Sequence, residues 1–393
     1  MLDFSKPSAL RAVQAKLGQP IPITRRSRTF LRLASSQINL PDFPWDLLAP
    51  YGARAREYKN GLIDLSVGTP VDPTPDFIQQ ALIKTSNSPG YPLTIGSPAL
   101  RQAMRDWAIN ILGVSGEFDV LPSIGSKEVV ANLPAQLEAT RVLYPQIAYP
   151  TYLVGALLAK ASAQTVDFDP TKWPTADFVW LNSPSNPTGR ISSSAELEQV
   201  IEYSRRTNAV IASDECYFNF PASSAGQQPI SILSVANGNN KNILAILSLS
   251  KRSNLAGYRG GVIIGDPVLI ARIREIRKHA GLIVPAPVQA AMAAALGDET
   301  HVHEQARRYA RRRELLRPAL EKLGFKVEHS QAGLYIWCTR GERDFDSVSA
   351  LADMGILVAP GGFYGEAGAM HIRVALTATD DQIATAAARI LGE

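Results

Sequence analysis

The chain has 393 residues, 46% hydrophobic and 19% charged, with a formal net charge of +4. That length exceeds what one hydrophobic core usually organises, so two domains are expected. So mild a charge calls for neither nucleic acid nor a membrane as partner, and no apolar run approaches the ~18 residues of a spanning helix.

The chain opens MLDFSKPSAL, without an apolar signal core, so a cytoplasmic location is expected. Residues 1–40 read as a peripheral arm, carrying Arg25, Arg26, Arg28 and Arg32 among scattered prolines. Residues 41–84 are assigned to a smaller domain, 85–285 to a large domain and 286–393 to a small C-terminal domain. From about residue 85 the pattern is strand, turn, helix. Leu100, Met104, Trp107 and Ile111 recur at spacings of four, three and four, which predicts an amphipathic helix over 98–112. Apolar runs at 178–181, 209–213, 243–249 and 261–265 read as buried parallel strands with helices on both faces. The fold class is therefore α/β, a large doubly wound, mostly parallel sheet.

After about residue 285 the texture changes. APVQAAMAAALGDE and HEQARRYARRRELLRPALEKL predict helices; GFKVEHS, GLYIWCT and HIRVALT predict strands. Together they make a smaller α+β domain. The arginines of the second helix read as a solvated face, with stems lying over apolar neighbours. Cys216 and Cys338 sit in apolar stretches and read as small buried hydrophobes. The five histidines lack metal-ligand spacing.

Chemistry concentrates at predicted strand ends. In SLSKRSNLAGYRGG, Lys251 follows a buried strand, flanked by Ser248, Ser250 and Arg259. A lysine that forms a Schiff base must be drawn out of solvent to deprotonate, and hydroxyls with an arginine suit a phosphate group. Pyridoxal 5'-phosphate (PLP) combines those needs. In ASDECYF, Asp214 is placed to keep a PLP ring nitrogen protonated, and Tyr217 to donate to its phenolic oxygen. In LNSPSNPTGR, Asn186 offers a second donor to that oxygen. In PSIGSKEVVANL, Gly125, Ser126 and Lys127 open a helix whose N-terminal amides suit a phosphate. In IAYPTY, Tyr149 is the candidate to stack on the ring, with Tyr152 the alternative. In HIRVALT, Arg373 lies among apolar neighbours and needs an anion, either a substrate carboxylate or an internal ion-pair partner.

Taken in order, SNPTG, ASDECY, SLSK with Arg259 eight positions on, and HIRVA resemble the fold-type I aminotransferases of class I/II, from about residue 43 onward. The resemblance implies that Lys251 carries PLP and then moves the substrate proton. It implies that Asp214, Tyr217 and Asn186 hold the ring. Arg373 then binds the α-carboxylate, helped by backbone near Gly68. PGYPLTIGSPALR resembles the family segment whose tyrosine, here Tyr91, reaches the partner subunit's phosphate, which implies a homodimer. FPWDLLAPYGARA, DLSVGTPVDPTP and LPSIGSKE are similar to actinobacterial N-succinyldiaminopimelate aminotransferases. The implied substrates are glutamate or 2-oxoglutarate and N-succinyl-2-amino-6-oxopimelate. A general amino acid or LL-diaminopimelate aminotransferase, or a β C–S lyase, is the alternative on this scaffold. A succinylated substrate asks for further basic groups, and Lys127 and Arg190 are the candidates.

Overall fold

A computed structural model of the protein describes residues 39–41, 44–223 and 225–392. The arginines of the expected arm, Arg25 to Arg32, lie outside the described residues. The first strand, β1 (Ile63–Leu65), belongs to a five-stranded sheet that is completed at the far end of the chain. Between them a seven-stranded sheet is built from β2 (Asp119–Ser123), β3 (Arg141–Pro145), β4 (Ser162–Val166), β5 (Phe178–Asn182), β6 (Val210–Asp214), β7 (Ile243–Ser248) and β8 (Gly261–Gly265). Its order is β2-β8-β7-β6-β5-β3-β4.

Strands β5 and β7 are buried at every position, as strands covered by helices on both faces must be. Side chains alternate between the faces. Val179, Leu181, Ile211 and Leu247 pack with Leu100, Met104 and Trp107 of the Pro98–Asn110 helix. Phe178, Trp180, Ala212 and Ile246 pack on the other face, with Val129 and Leu133 of the Ser126–Gln136 helix and Ile270 and Ile273 of the Pro267–Ala280 helix. The helix Ala286–Leu296 buries Ala291, Met292 and Ala295 in the first of these two cores.

One expected parallel strand runs the other way. β8 pairs antiparallel with both β2 and β7, while β3 to β7 run parallel to one another. An apolar run reports burial on two faces, and burial does not depend on strand direction.

The five-stranded sheet adds β9 (Lys326–Val327), β10 (Tyr335–Thr339), β11 (Ile356–Pro360) and β12 (Ile372–Ala375), in the order β1-β11-β12-β10-β9. β1 pairs parallel with β11, and β12 lies antiparallel between β11 and β10. Leu65, Trp337, Val358 and Val374 share its core with Leu316 of the Thr300–Lys322 helix. That helix corrects the expected solvated arginine face. Arg307, Arg311 and Arg317 are exposed, but Arg312 and Arg313 are buried. Arg312 is held by Asp72 and Asp380, and Arg313 donates to the carbonyls of Tyr335 and Gly333. Their anionic and carbonyl partners offset the cost of desolvating them.

Candidate active site

A cavity of about 730 Å³ opens at the carboxyl ends of β5, β6 and β7, where open α/β sheets commonly bind ligands. It gathers Gly68, Ser126, Lys127, Tyr149, Asn186, Asp214, Tyr217, Ser248, Ser250, Lys251, Arg259 and Arg373. Two predicted site residues are outside its lining. Gly125 lies directly behind Arg259, and Tyr91 is fully exposed, away from the cavity of its own chain.

Lys251 lies in a four-residue helical turn, Leu249–Arg252, directly after β7. The Ser248 hydroxyl caps that turn by accepting from the Ser250 amide. Burial disfavours the charged amine and brings Lys251 down to about 8, with Arg373 and Arg259 adding to the effect. Its ammonium donates to the carbonyl of Gly68.

Asp214 ends β6. Burial pushes its carboxyl up, and hydrogen bonds from Cys216 and Tyr152 oppose that. The Tyr152 hydroxyl donates to Oδ2 at 2.9 Å, and the Cys216 amide to Oδ1 at 3.2 Å. Tyr152 is fully buried against Trp180 and does not line the cavity, whereas Tyr149 does. The alternative that Tyr152 stacks on a cofactor is thereby replaced by a role in holding Asp214.

Asn186 hangs from the turn after β5. Asn182 shapes that turn, its Oδ1 accepting from the Asn186 amide at 2.7 Å and its Nδ2 donating to the Asp214 carbonyl. Asn186 Oδ1 in turn accepts from Arg373 Nη1 at 3.0 Å. Arg373 comes from β12 and is 3% exposed, yet no carboxylate reaches it. Its partners are Asn186, the Ser66 carbonyl and the ring of Tyr335, which lies 4.0 Å from the guanidinium carbon. Its Nε has no hydrogen-bond partner among the described residues. The alternative reading, an internal ion pair, finds no carboxylate partner for Arg373 among the described residues.

At the opposite end, Gly125 caps the Ser126–Gln136 helix with φ +73°. A Cβ there would come within 2.5 Å of Arg259 Nη2. Glycine thus leaves a cradle between a helix N-terminus and a guanidinium, which suits an anion.

Several lining residues were not singled out from sequence. Tyr335 bonds Tyr217 hydroxyl to hydroxyl at 3.0 Å, and Trp45 and Asn182 also line the cavity. Cys216, read as a buried hydrophobe, is on the cavity wall beside Asp214, and burial followed by that neighbouring carboxylate drives its thiol well up. Cys216 lies in the turn after β6, two residues beyond Asp214, and its amide bonds that carboxylate. Arg190 does not reach the cavity: it pairs with Glu196 and stacks 3.8 Å over Phe168.

The amino-acid sequence matches the aminotransferases of class I and II over residues 60–390, and the chain belongs to that family. Family members depend on PLP, and the chain is a PLP-dependent transaminase. It is 51% identical to the 4-dedimethylamino-4-oxo-anhydrotetracycline transaminase OxyQ of Streptomyces rimosus, over 89% of this chain and 99% of that one. It is 30% identical to the LL-diaminopimelate aminotransferase of Dehalococcoides mccartyi, over 92% and 99%. The solved structure of a probable N-succinyldiaminopimelate aminotransferase from Thermus thermophilus superposes with TM-score 0.79 at 27% identity, covering 88% of this chain and 98% of that one. These relatives are transaminases, which displaces the lyase alternative. The residues present fit PLP: an anion cradle at Gly125 and Arg259, a lysine amine brought down to about 8, and a buried carboxylate that has no cation partner among the described residues. No helix among the described residues is long and apolar enough to cross a membrane.

Proposed function

We propose that this transaminase exchanges an amino group between glutamate and N-succinyl-2-amino-6-oxopimelate. The observation that carries the reading is Arg373, a buried cation in the cavity with, among the described residues, no carboxylate partner and an unpaired Nε. An amino acid's α-carboxylate supplies that anion through paired hydrogen bonds. Bound PLP supplies an electron sink that acidifies the substrate Cα–H. Arg259, Ser248, Ser250 and the amides at Gly125, Ser126 and Lys127 would hold its phosphate. Asp214 would hold its ring nitrogen, Asn186 and Tyr217 its phenolic oxygen, and Tyr149 would pack on the ring. Lys251 Nζ, held from water, takes the Cα proton and redelivers it as a positioned base and acid.

Sequence similarity to N-succinyldiaminopimelate aminotransferases and the fold of the Thermus protein support the succinylated acceptor. The 51% identity to OxyQ and the apolar walls Trp45, Val67 and Val154 favour a second reading, 4-dedimethylamino-4-oxo-anhydrotetracycline as acceptor. A half-reaction decides. The enzyme is converted to its pyridoxamine form with glutamate, freed of glutamate, and mixed with each acceptor. Fast return of the lysine-bound cofactor's absorbance with the succinylated keto acid alone supports the first reading; return only with the tetracycline ketone supports the second. We also infer a cytoplasmic homodimer in which Tyr91, fully exposed in this chain, reaches the second subunit's phosphate. Sedimentation as a monomer refutes it.

A further inference from the structure

We infer that His301, with Ser253 and Asp298, is a positioning residue for Lys251: the three form a directed hydrogen-bond chain that fixes the turn carrying that lysine to the start of the Thr300–Lys322 helix. The inference rests on the reading of Lys251 as the amine that carries the cofactor, and extends it to residues outside the cavity.

The turn that bears Lys251, Leu249–Arg252, has four residues and is too short to hold its own shape. Ser253 ends it, with its amide on the Leu249 carbonyl. The Ser253 hydroxyl accepts from Arg252 Nη1 at 3.1 Å and meets His301 Nε2 at 2.9 Å. His301 Nδ1 lies 2.6 Å from Asp298 Oδ2, which also accepts from the His301 amide. Burial raises Asp298, but the bonds from His301 hold it down at about 2, so it accepts. Burial lowers His301 against the pull of Asp298, which favours a neutral ring with one N–H. An arginine can only donate and a carboxylate only accept. The hydrogens between them are thereby assigned: Ser253 donates to Nε2, and Nδ1–H to Asp298.

A serine, a histidine and an aspartate so arranged can activate a nucleophile. Here Ser253 is 1% exposed and lines neither the active-site cavity nor the pocket of about 400 Å³ beside His301, so no substrate reaches it. What the chain reaches is the neighbour of Lys251. Arg252 is buried and bonds the carbonyls of Ala295 and Asp298 and the carboxylate of Glu299. One helix then governs both sides of the lysine. His301 and Gln305 are four positions apart and share a helical face. Gln305 accepts from Asn254 at 3.1 Å and donates to Asp72 at 2.7 Å. Asp72 lies in the segment after β1 whose Gly68 carbonyl accepts from Lys251. The first turns of the helix thus hold both the turn that presents the amine and the backbone that receives it.

The test compares wild type with Ser253→Ala, His301→Phe, the double variant and the conservative His301→Gln. Phenylalanine keeps a ring against Phe77, which His301 meets edge-on at 5.4 Å. The measurements are kcat and KM for glutamate, the melting temperature, the rate at which apoenzyme captures PLP on Lys251, and the pH midpoint of the lysine-bound cofactor's absorbance. Each single variant lowers kcat and the capture rate about tenfold, a hydrogen bond's worth. KM changes little and the midpoint moves. The double variant loses no more than the worse single one, because either change breaks the same chain. His301→Gln, which can still bond Ser253, recovers part of the loss. If His301→Phe does not fold, Asp298→Asn takes its place. Losses that multiply in the double variant overturn the inference. A lower melting temperature with an unmoved midpoint and capture rate also overturns it and makes His301 structural. Sustained turnover by Lys251→Ala sinks the reading of Lys251 and the inference together; an inactive Lys251→Ala beside an unmoved midpoint sinks the inference alone.

Discussion

The hydroxyl of Tyr152 donates a 2.9 Å hydrogen bond to Oδ2 of Asp214 from behind the cavity wall. The bond favours the ionised carboxylate against burial, which pushes it up. Tyr152→Phe keeps the ring on Trp180 and removes the bond, so Asp214 titrates at higher pH. The expected outcome is a loss of about tenfold in kcat, a net hydrogen bond's worth, with KM little changed. The acid limb of the pH–rate profile moves upward. An unmoved acid limb confines Tyr152 to packing.

Lys251 is brought down to about 8 by burial, so its neutral, reactive form grows in as pH rises through that value. Reconstitution of apoenzyme with PLP should therefore accelerate up to about pH 8 and level off above it. A rate still climbing at pH 10 denies the depressed amine. Lys251→Ala removes the positioned base, worth about 10²- to 10⁴-fold or more, and stopped-flow absorbance should show no sustained turnover.

Arg373→Gln removes the cation but keeps a polar side chain beside Asn186. Loss of a buried charge from its partner costs about 2–5 kcal/mol, so kcat/KM falls at least about 30-fold for every amino acid tested. Steady-state kinetics with glutamate and alanine check this. A lower melting temperature with unchanged KM makes Arg373 structural.

Gly125→Ala places a methyl group within 2.5 Å of Arg259 Nη2, on a backbone with φ +73°. Both the clash and the left-handed backbone oppose it. PLP affinity drops about tenfold or more, read by fluorescence titration, while the thermal stability of apoenzyme falls by only a few degrees. Unchanged PLP affinity removes Gly125 from the phosphate cradle.

Most of the site was legible because its groups follow strand ends in short motifs. A lysine after a buried strand, or an aspartate ending one, stands out against apolar neighbours. Residues whose role depends on another segment were not legible. Tyr335 reaches the cavity only because β10 pairs with β12, which brings it near Tyr217 and Arg373. Tyr152 looked like Tyr149 in sequence, and only the approach of β6 separates their tasks. β4 went unread because it is an edge strand, exposed or half-exposed at four of its five positions, with no apolar run. Arg312 looked solvated because Asp72 and Asp380 are far away in sequence, and Arg313 because its acceptors, the carbonyls of Gly333 and Tyr335, lie outside its helix.

The segment after β1 is gripped through its backbone. The carbonyls of Ser66, Val67 and Gly68 accept, in turn, from Arg373, Thr377 and Lys251. Farther along, Asp72 is clasped by Gln305, Arg308 and Arg312. Side-chain identity at Val67 is therefore almost invisible to these contacts, and spacing is what they measure. Deleting one residue between Ser66 and Asp72 shifts the chain by about 3.8 Å and puts the anchors out of step. This stretch should tolerate exchanges at Val67 but no change of length, and Gly68, where a Cβ would collide with the Tyr335 ring and hydroxyl, should tolerate neither.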